Sequence, residues 1–415
     1  MLMRVRYIAA VCLVAALAVT VSAATAAPSR STASSITVWL QTDAQNGWPD
    51  IVASVNSQFE KDHPGVKVNV QYQQWTQHLT KFVATLAGGN APDVIEMGNS
   101  EMTKYMAAGA FQDITSSKSS FANSSNWLSG LQKAATYGGH LYGVPYYAGS
   151  RVVTYRTDLF KKAGISKPPT SLAQFTVDAK KLAAKNTAKG FSPVYIAGPD
   201  WYVAMGFVYD YGGQIAKTFK GKWVGTLNSP KAIAGLTAYK NFFNVASHAS
   251  KTQDEAHPFP YTVYAQGLVG AMPGPTWVTC CNLLGKYTKA SAQFVMPSHT
   301  AGKPMPGFLG GSDLAVPVGA NKALAVDWIK DFTDTATEKA LQAKGNIPNA
   351  TNLLGDSVNE RAAARSWFIP SSKNWVNVEN GNILRSMLTQ ILTGKLTVKQ
   401  AATFASQNIT SVLNG

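Results

Sequence analysis

The feature that most constrains this chain is a regular alternation of strand and helix patterns near its N-terminal end. Residues 35–40 form a short apolar strand pattern, and residues 66–72 alternate apolar and polar side chains as a half-buried strand does. Between them, residues 48–63 carry apolar side chains at helical spacing and stop at a Pro-Gly pair. A second helix pattern leads to a third strand at residues 93–97. This order predicts βαβ units and a parallel sheet.

Two polar loops follow strands of this predicted sheet. The loop 41–47 follows the first strand, and the loop 98–101 follows the third. Ligands of parallel α/β sheets bind beyond the carboxyl ends of the strands. The sequence therefore predicts that both loops lie at one rim, where a ligand would bind.

The N-terminus has the pattern of an export signal. Arg4 and Arg6 precede an apolar run at residues 7–21, and small residues follow it up to Ala26. We expect a signal peptide at residues 1–26, cleaved near Ala26, and a protein exported to the periplasm or the cell surface. A lipid anchor is a weaker alternative, because Cys12 lies inside the apolar run without a small residue before it. An uncleaved membrane anchor is also weaker, because the apolar run is short and ends in Ala and Ser.

Composition excludes several classes of protein. The 415 residues are 46% hydrophobic and 10% aromatic, which excludes a disordered chain. Lys and Arg number 37 against 22 Asp and Glu, but the basic residues are spread singly or in pairs. Without a basic cluster interleaved with aromatics, we expect no nucleic-acid partner and interpret the charge as a solvated surface.

Cysteine and histidine spacing gives no sign of a metal or a cofactor. The chain has neither a Cys-x-x-Cys pair nor a His-Glu-x-x-His motif. After signal cleavage only the neighbours Cys280 and Cys281 would remain. They could form a vicinal disulfide, which would be strained because adjacent Cα atoms lie only about 3.8 Å apart, or stay as two thiols.

Aromatic residues in irregular segments are candidates for ligand contacts. A ligand with apolar faces and a belt of hydroxyl groups needs a site with flat aromatic rings and convergent polar partners. Trp277 follows Pro-Gly-Pro-Thr and is interpreted as a stacking platform. For Trp48, Trp201 and Trp375, a ligand role and a structural role both stay open. Asp43 could be a ligand carboxylate or a helix N-cap.

Several segments together resemble one protein family. These are FEKDHPGVKVNVQYQQW at 59–75, LAGGNAPDVIEMGNS at 86–100, YGVPYYAGSRVVTYRTDLFKKAGISKPPTSLAQF at 142–175, LNSPKAIAGLTAYKNF at 227–242, GLVGAMPGPTW at 267–277, GGSDLAVPVGANKALAVDWIKDFT at 310–333 and LTGKLTVKQAATFASQNI at 392–409. Their content and order resemble the extracellular solute-binding proteins of bacterial ABC importers, of the carbohydrate type that includes maltose-binding protein.

The resemblance implies an α/β, two-lobed periplasmic-binding-protein fold (type II), with hinged lobes and central mixed sheets. Lobe one would comprise residues 27–147 with 314–332, and lobe two residues 148–313 with 333–415. It further implies a monomer without enzymatic activity or cofactor. This monomer would capture a mono- or oligosaccharide between its lobes and deliver it to a membrane permease.

The resemblance also implies positions for the ligand contacts, partly with alternatives. Arg151 could equally anchor the hinge, and the loop 97–101 lacks an acid where relatives often present one, which leaves Glu101 for that role. The candidate residues are Asp43, Trp48, Asn99, Ser100, Glu101, Tyr147, Arg151, Trp201 or Tyr202, Trp277, Gly311, Ser312, Asp313 and Trp375.

Two other functions stay open at this point. The same fold could bind a non-sugar solute or an acidic sugar, since the basic net charge of +15 permits an anionic ligand. An exported glycoside hydrolase is the enzyme alternative, and it would need two carboxyl groups about 5–9.5 Å apart. No Gly-x-Ser-x-Gly motif supports an esterase.

Overall fold

A computed structural model describes residues 34–279, 283–363 and 365–415. The predicted signal peptide and the pair Cys280 and Cys281 lie outside the described residues.

Two mixed sheets form the centres of two lobes. In the first, the strand order is β2-β1-β3-β14-β6, with β1 parallel to β2 and β3, and β14 antiparallel to β3 and β6. In the second, the order is β12-β7-β11-β8, and only the β11–β8 pair is parallel. The strands are β1 Ser34–Gln41, β2 Val66–Gln73, β3 Val94–Gly98, β4 Thr136–Tyr137, β5 His140–Leu141, β6 Gly143–Gly149, β7 Arg151–Arg156, β8 Ser192–Val194, β9 Ala216–Phe219, β10 Lys222–Gly225, β11 Val269–Pro275, β12 Ser291–Phe294, β13 Gly307–Phe308, β14 Gly310–Ala315 and β15 Ser366–Trp367.

Helices cover both sheets, and local sequence signals set several of their ends. Helix α2 starts with Pro49 at its first position and buries Ile51, Val52, Val55 and Phe59 on one face. The last helix, α16, starts at a reciprocal capping box. The helices are α1 Thr42–Gly47, α2 Pro49–Asp62, α3 His78–Ala87, α4 Met102–Ala107, α5 Ser129–Ala134, α6 Thr157–Lys162, α7 Leu172–Lys185, α8 Trp201–Asp210, α9 Pro230–Ala246, α10 Pro260–Ala265, α11 Lys322–Phe332, α12 Thr335–Ala343, α13 Val358–Ala363, α14 Trp375–Asn380, α15 Ile383–Thr393 and α16 Val398–Asn414.

Each sheet has its own hydrophobic core. The first core surrounds β1, β3 and β6 and includes Trp328 and Phe332 of α11. The second surrounds β7, β8 and β11 and includes the C-terminal helices α14 to α16. A smaller cluster, formed by residues such as Leu131, Leu309 and Ile347, lies where the chain passes between the lobes.

The chain passes between the lobes at β6–β7, at β13–β14 and a third time after Ala350, and the position of this third passage differs from the expectation. Lobe two was predicted to resume at residue 333, but Leu341 of α12 and Ala350 are packed in the first core. The reason is a pairing with β6: Ile347 and Ala148 exchange two backbone hydrogen bonds of 2.8 and 2.9 Å. The chain therefore stays with the first sheet for almost 20 residues more than the sequence indicated.

Within residues 34–279, 283–363 and 365–415, no helix has the length and apolar character needed to cross a membrane.

Candidate functional site

A groove of about 760 Å³ lies between the two sheets. Lobe one contributes the loops after β1, β2 and β3, and lobe two contributes Phe259, Tyr261, Pro275, Trp277 and Leu283. The passages β6–β7 and β13–β14 form the floor. The lining residues are Asp43, Asn46, Gly47, Trp48, Trp75, Gly98, Asn99, Ser100, Glu101, Tyr147, Gly149, Ser150, Arg151, Tyr202, Phe259, Tyr261, Pro275, Trp277, Leu283, Phe308, Gly310, Gly311, Ser312 and Asn346.

Most of the candidate residues lie together at this groove. They are Asp43, Trp48, Asn99, Ser100, Glu101, Tyr147, Arg151, Tyr202, Trp277, Gly311 and Ser312. The loops after the first and third strands were predicted to lie at one rim, and residues of both loops line this groove. The structure gives their position, while a direct contact with a ligand stays a prediction for each of them.

Three candidates do not line the groove. Trp375 is 1% exposed in the core of lobe two, where its indole N–H donates to Glu379. Trp201 is also in this core, stacked at 4.0 Å against the groove residue Tyr202. Asp313 is fully buried because β14 turns its side chain away from the groove, and burial raises the pKa of its carboxyl well above the usual value. We therefore correct the placement of all three.

The wall from lobe one carries an aromatic residue that the sequence interpretation did not single out. Trp75 follows β2 and is 38% exposed, and its indole N–H donates to the Asp43 carboxylate. Trp75 could have been predicted from the sequence, because ligands of parallel sheets bind beyond the carboxyl ends of the strands and β2 ends at the same edge as β1 and β3. Asp43 does not act as the N-cap of α1, since that position is Gln41.

Behind Trp75, the buried side chain of His78 joins two parts of this wall. Its Nδ1 lies 2.9 Å from the backbone oxygen of Trp75, and its Nε2 lies 2.9 Å from Oε2 of Glu101. The same carboxylate oxygen accepts a hydrogen bond from the Gly98 N–H. Burial lowers the pKa of His78, but the contacts with Glu101 and the Trp75 backbone oxygen and the charge of Glu96 together raise it by more, so the pKa lies above the usual value of 6.5.

The opposite wall, from lobe two, is a cluster of three aromatic rings. Phe259 and Tyr261 are stacked with their centroids 5.1 Å apart, and Trp277 meets Tyr261 edge-on at 5.9 Å. Phe259 and Trp277 remain 47% and 49% exposed, which is unusual for side chains of this size. Only Trp277 of this cluster was predicted. Phe259 and Tyr261 come from a loop and a short helix whose sequence has no distinguishing pattern.

The floor combines a cation with aromatic faces. The Arg151 guanidinium lies 4.3 Å from the centre of the Tyr202 ring, and Phe308 lies 5.0 Å from the same ring. Trp48 packs edge-on against Tyr147 at 5.4 Å and is only 7% exposed, so it contributes mainly an edge. Such a floor offers apolar contact and donors close together.

A buried carboxyl group lies beneath this floor. Glu96 of β3 is 1% exposed, and its Oε2 accepts a hydrogen bond of 2.8 Å from the Gln41 N–H. Burial, with a smaller contribution from the nearby Asp43, raises the pKa of Glu96 to about 7, against the effect of the Gln41 hydrogen bond. Burial and Glu96 together raise the pKa of the Tyr147 hydroxyl well above 10, so this hydroxyl stays a neutral donor.

The charges of the groove are few. Its charged lining residues are Asp43, Glu101 and Arg151, in contrast to the strongly basic composition of the whole chain. Within the described part of the chain, no group of three or more His, Cys, Asp or Glu side chains is arranged to hold a metal ion.

The comparison with known families assigns the chain. The family model described as "Bacterial extracellular solute-binding protein" matches residues 40–343. The chain belongs to this family. The solute-binding protein is 32% identical over 372 residues to the diacetylchitobiose binding protein DasA of Streptomyces coelicolor, covering 87% of this chain and 85% of the relative. It is 23% identical over 321 residues to the maltodextrin-binding protein MdxE of Bacillus subtilis, covering 77% and 72% of the two chains.

Solved structures confirm the two-lobed α/β fold of this solute-binding protein. The GacH receptor of Streptomyces glaucescens, solved without ligand and with acarbose, has a TM-score of 0.76 at 18% identity and covers 92% of this chain and 98% of its own. MalE of Listeria monocytogenes in complex with maltose has a TM-score of 0.76 at 21% identity, covering 91% and 97%.

Proposed function

We propose that this protein is the extracytoplasmic substrate-binding component of an ABC sugar importer. It captures a mono- or oligosaccharide between its two lobes and delivers it to a membrane permease. The observation that carries the proposal is the pair of facing walls, with exposed Trp75 on one lobe and exposed Phe259 and Trp277 on the other. The relatives DasA and MdxE, named for sugar ligands, support it.

The chemistry of the groove suits a neutral sugar. Exposed rings on both walls can stack on the C–H faces of a sugar, and Asp43, Asn99 and Ser100 can pair with its hydroxyl groups. A volume of about 760 Å³ is enough for more than one sugar ring, which favours an oligosaccharide. A ligand that touches both walls would stabilise the closed arrangement of the lobes.

The groove disfavours the two alternative functions. An anionic sugar would face Asp43 and Glu101, and among the described residues of the lining Arg151 is the only cation, so the groove does not share the basic character of the whole chain. A glycoside hydrolase would need Glu101 or Asp43 as an acid, but each of these carboxylates has one oxygen in a hydrogen bond, from His78 and from Trp75 respectively. We therefore propose a binding protein without hydrolytic activity, exported by its signal peptide and acting as a monomer.

The test is titration calorimetry of the mature protein with a panel of ligands. We expect saturable binding of one or more neutral oligosaccharides, with diacetylchitobiose and maltotetraose tested first. The same samples are analysed by chromatography for products. Binding restricted to uronates, peptides or other solutes, or release of shortened sugars, would contradict the proposal.

A further inference from the structure

The buried histidine behind the lobe-one wall has a geometry that requires two ring protons. Its Nδ1 faces the backbone oxygen of Trp75, which can only accept a hydrogen bond, so Nδ1 must carry a proton. Its Nε2 faces Oε2 of Glu101, and this oxygen already accepts from the Gly98 N–H. An ionised carboxylate in this position requires a proton on Nε2 as well. The two contacts together correspond to an imidazolium.

We infer that His78 is a positioning residue of the groove, which in its doubly protonated form holds Trp75 and Glu101 in their places and so makes ligand affinity depend on pH. His78 does not line the groove and does not touch the ligand. The inference rests on the proposed function only in that the ligand is a saccharide.

The packing around His78 leaves it few alternatives. The side chain is 0% exposed, so water does not replace either contact when one is lost. The Trp75 ring stands edge-on to the imidazole at 5.2 Å, and the Trp75 indole N–H donates to Asp43. The orientation of the exposed ring is thus fixed at both ends, by Asp43 and by His78.

The charged and titratable groups near His78 favour the protonated form. Glu101 is in direct contact, and Glu96 of β3 acts through its charge. Asp43 lies beyond Trp75, and Tyr105 of α4 lies near Glu101. Lys81, which is on helix α3 with His78, donates a hydrogen bond to Gln73. Burial lowers the pKa of His78, but Glu101, the Trp75 backbone oxygen and Glu96 together raise it above its usual value of 6.5.

The sign of the pH effect follows from this direction. Since the pKa is raised in the folded protein, the imidazolium with both of its hydrogen bonds is fully present below pH 6.5 and is lost as the pH rises through the raised pKa. Loss of the Nε2 proton leaves Oε2 of Glu101 facing an acceptor, while Nδ1 keeps its hydrogen bond to the Trp75 backbone oxygen. We therefore expect the affinity for a saccharide to weaken roughly three- to tenfold between pH 6 and pH 9 because one charge-assisted hydrogen bond is lost.

The test compares wild type, His78→Gln and the control His140→Gln by calorimetry with diacetylchitobiose and maltotetraose from pH 6 to pH 9. His140 forms a similar pair with Asp113 on the surface, 2.7 Å apart and away from the groove. We expect the affinity of wild type and His140→Gln to weaken three- to tenfold between pH 6 and pH 9, and we expect this weakening to be absent in His78→Gln. Because Glu96 also titrates near neutral pH and remains in every variant, only the difference between variants is assigned to His78. Equal pH profiles in all three proteins would overturn the inference.

A second measurement does not depend on any ligand. Nitrogen NMR of wild-type protein labelled at histidine and tryptophan reports the protonation of each imidazole nitrogen, the titration of His78 and the indole N–H of Trp75. We expect a doubly protonated ring at pH 6.5, and an indole N–H signal of Trp75 that shifts with the same titration. A neutral His78 ring at pH 6.5, or a Trp75 indole signal that does not shift with the His78 titration, refutes the positioning role even if no tested saccharide binds. Failure of all sugars to bind with an intact titration would instead count against the proposed function.

Discussion

The Phe368 ring lies directly on the Cα atom of Gly130, so that a Cβ added to Gly130 would stand 1.5 Å from a ring carbon. Gly130 belongs to helix α5. Leu128, which precedes this helix, and Leu131, which lies in it, belong to the small cluster between the lobes. Phe368 follows β15 and packs on the same cluster. This glycine is needed for space and not for its backbone freedom.

The substitution Gly130→Ala is therefore expected to destabilise the protein by about 1–3 kcal/mol through overpacking. Thermal and urea unfolding measure the effect. The double variant Gly130→Ala with Phe368→Ala should regain part of the loss, because the ring that clashes is gone. Ser129→Ala, an exposed change in the same helix, is the control. If the second substitution rescues nothing, the close contact is not the cause.

Replacing Trp277 by Ala should weaken saccharide binding without unfolding the protein. The ring is 49% exposed and lines the groove, so its loss removes a stacking surface but opens no cavity. We expect a roughly 10- to 100-fold loss of affinity in calorimetry. The exposed Phe404 of α16, away from the groove, gives the matched control Phe404→Ala. Unchanged affinity of Trp277→Ala would remove this residue from the proposed site.

Trp375→Ala should show the opposite behaviour. Its ring is 1% exposed in the core of lobe two, so removal leaves a cavity and costs about 3–5 kcal/mol of unfolding free energy. Trp277→Ala serves as the comparison, with a change within about 0.5 kcal/mol expected for an exposed site. Urea unfolding followed by circular dichroism measures both. A stable Trp375→Ala protein with lost binding would support the original sequence prediction instead.

The buried Glu96 should make stability depend on pH. Its pKa is raised from 4.5 to about 7 by burial, so the folded state holds a proton that the unfolded state has lost at intermediate pH. The favourable contribution is present below pH 4.5 and is lost as the pH rises through about 7. The loss is on the order of 3 kcal/mol.

The variant Glu96→Gln tests this effect because the amide keeps an acceptor for the Gln41 N–H but does not ionise. Relative to wild type, it should gain stability at pH 8 and change little at pH 5, as measured by urea unfolding at both pH values. The same difference between the proteins at both pH values would contradict the assignment of a raised pKa.

The sequence predicted the parts of this site that follow from local periodicity. The loop of Asp43 and the loop of Asn99 to Glu101 were expected at one rim because each follows a strand of a parallel sheet, and both line the groove. Trp277 was distinguished by its Pro-Gly surroundings, which exclude a regular helix.

The remaining features depend on contacts between distant parts of the chain. Helix α8 is apolar on nearly all sides, so periodicity does not tell that Trp201 faces the core while Tyr202 faces the groove. The extra stretch in lobe one arises from the pairing of Ile347 with Ala148, residues about 200 positions apart. No local pattern encodes such a pairing.

The position of β14 between β3 and β6 has a consequence for how the protein is made. Residues 310–315 fill the gap between strands that leave the ribosome some 160 to 220 residues earlier. Until residues 310–315 are synthesised, β3 and β6 each lack the neighbouring strand β14, and the first sheet is incomplete. The first sheet can therefore reach its final strand order only after residues 310–315 have been synthesised, late in a chain of 415 residues.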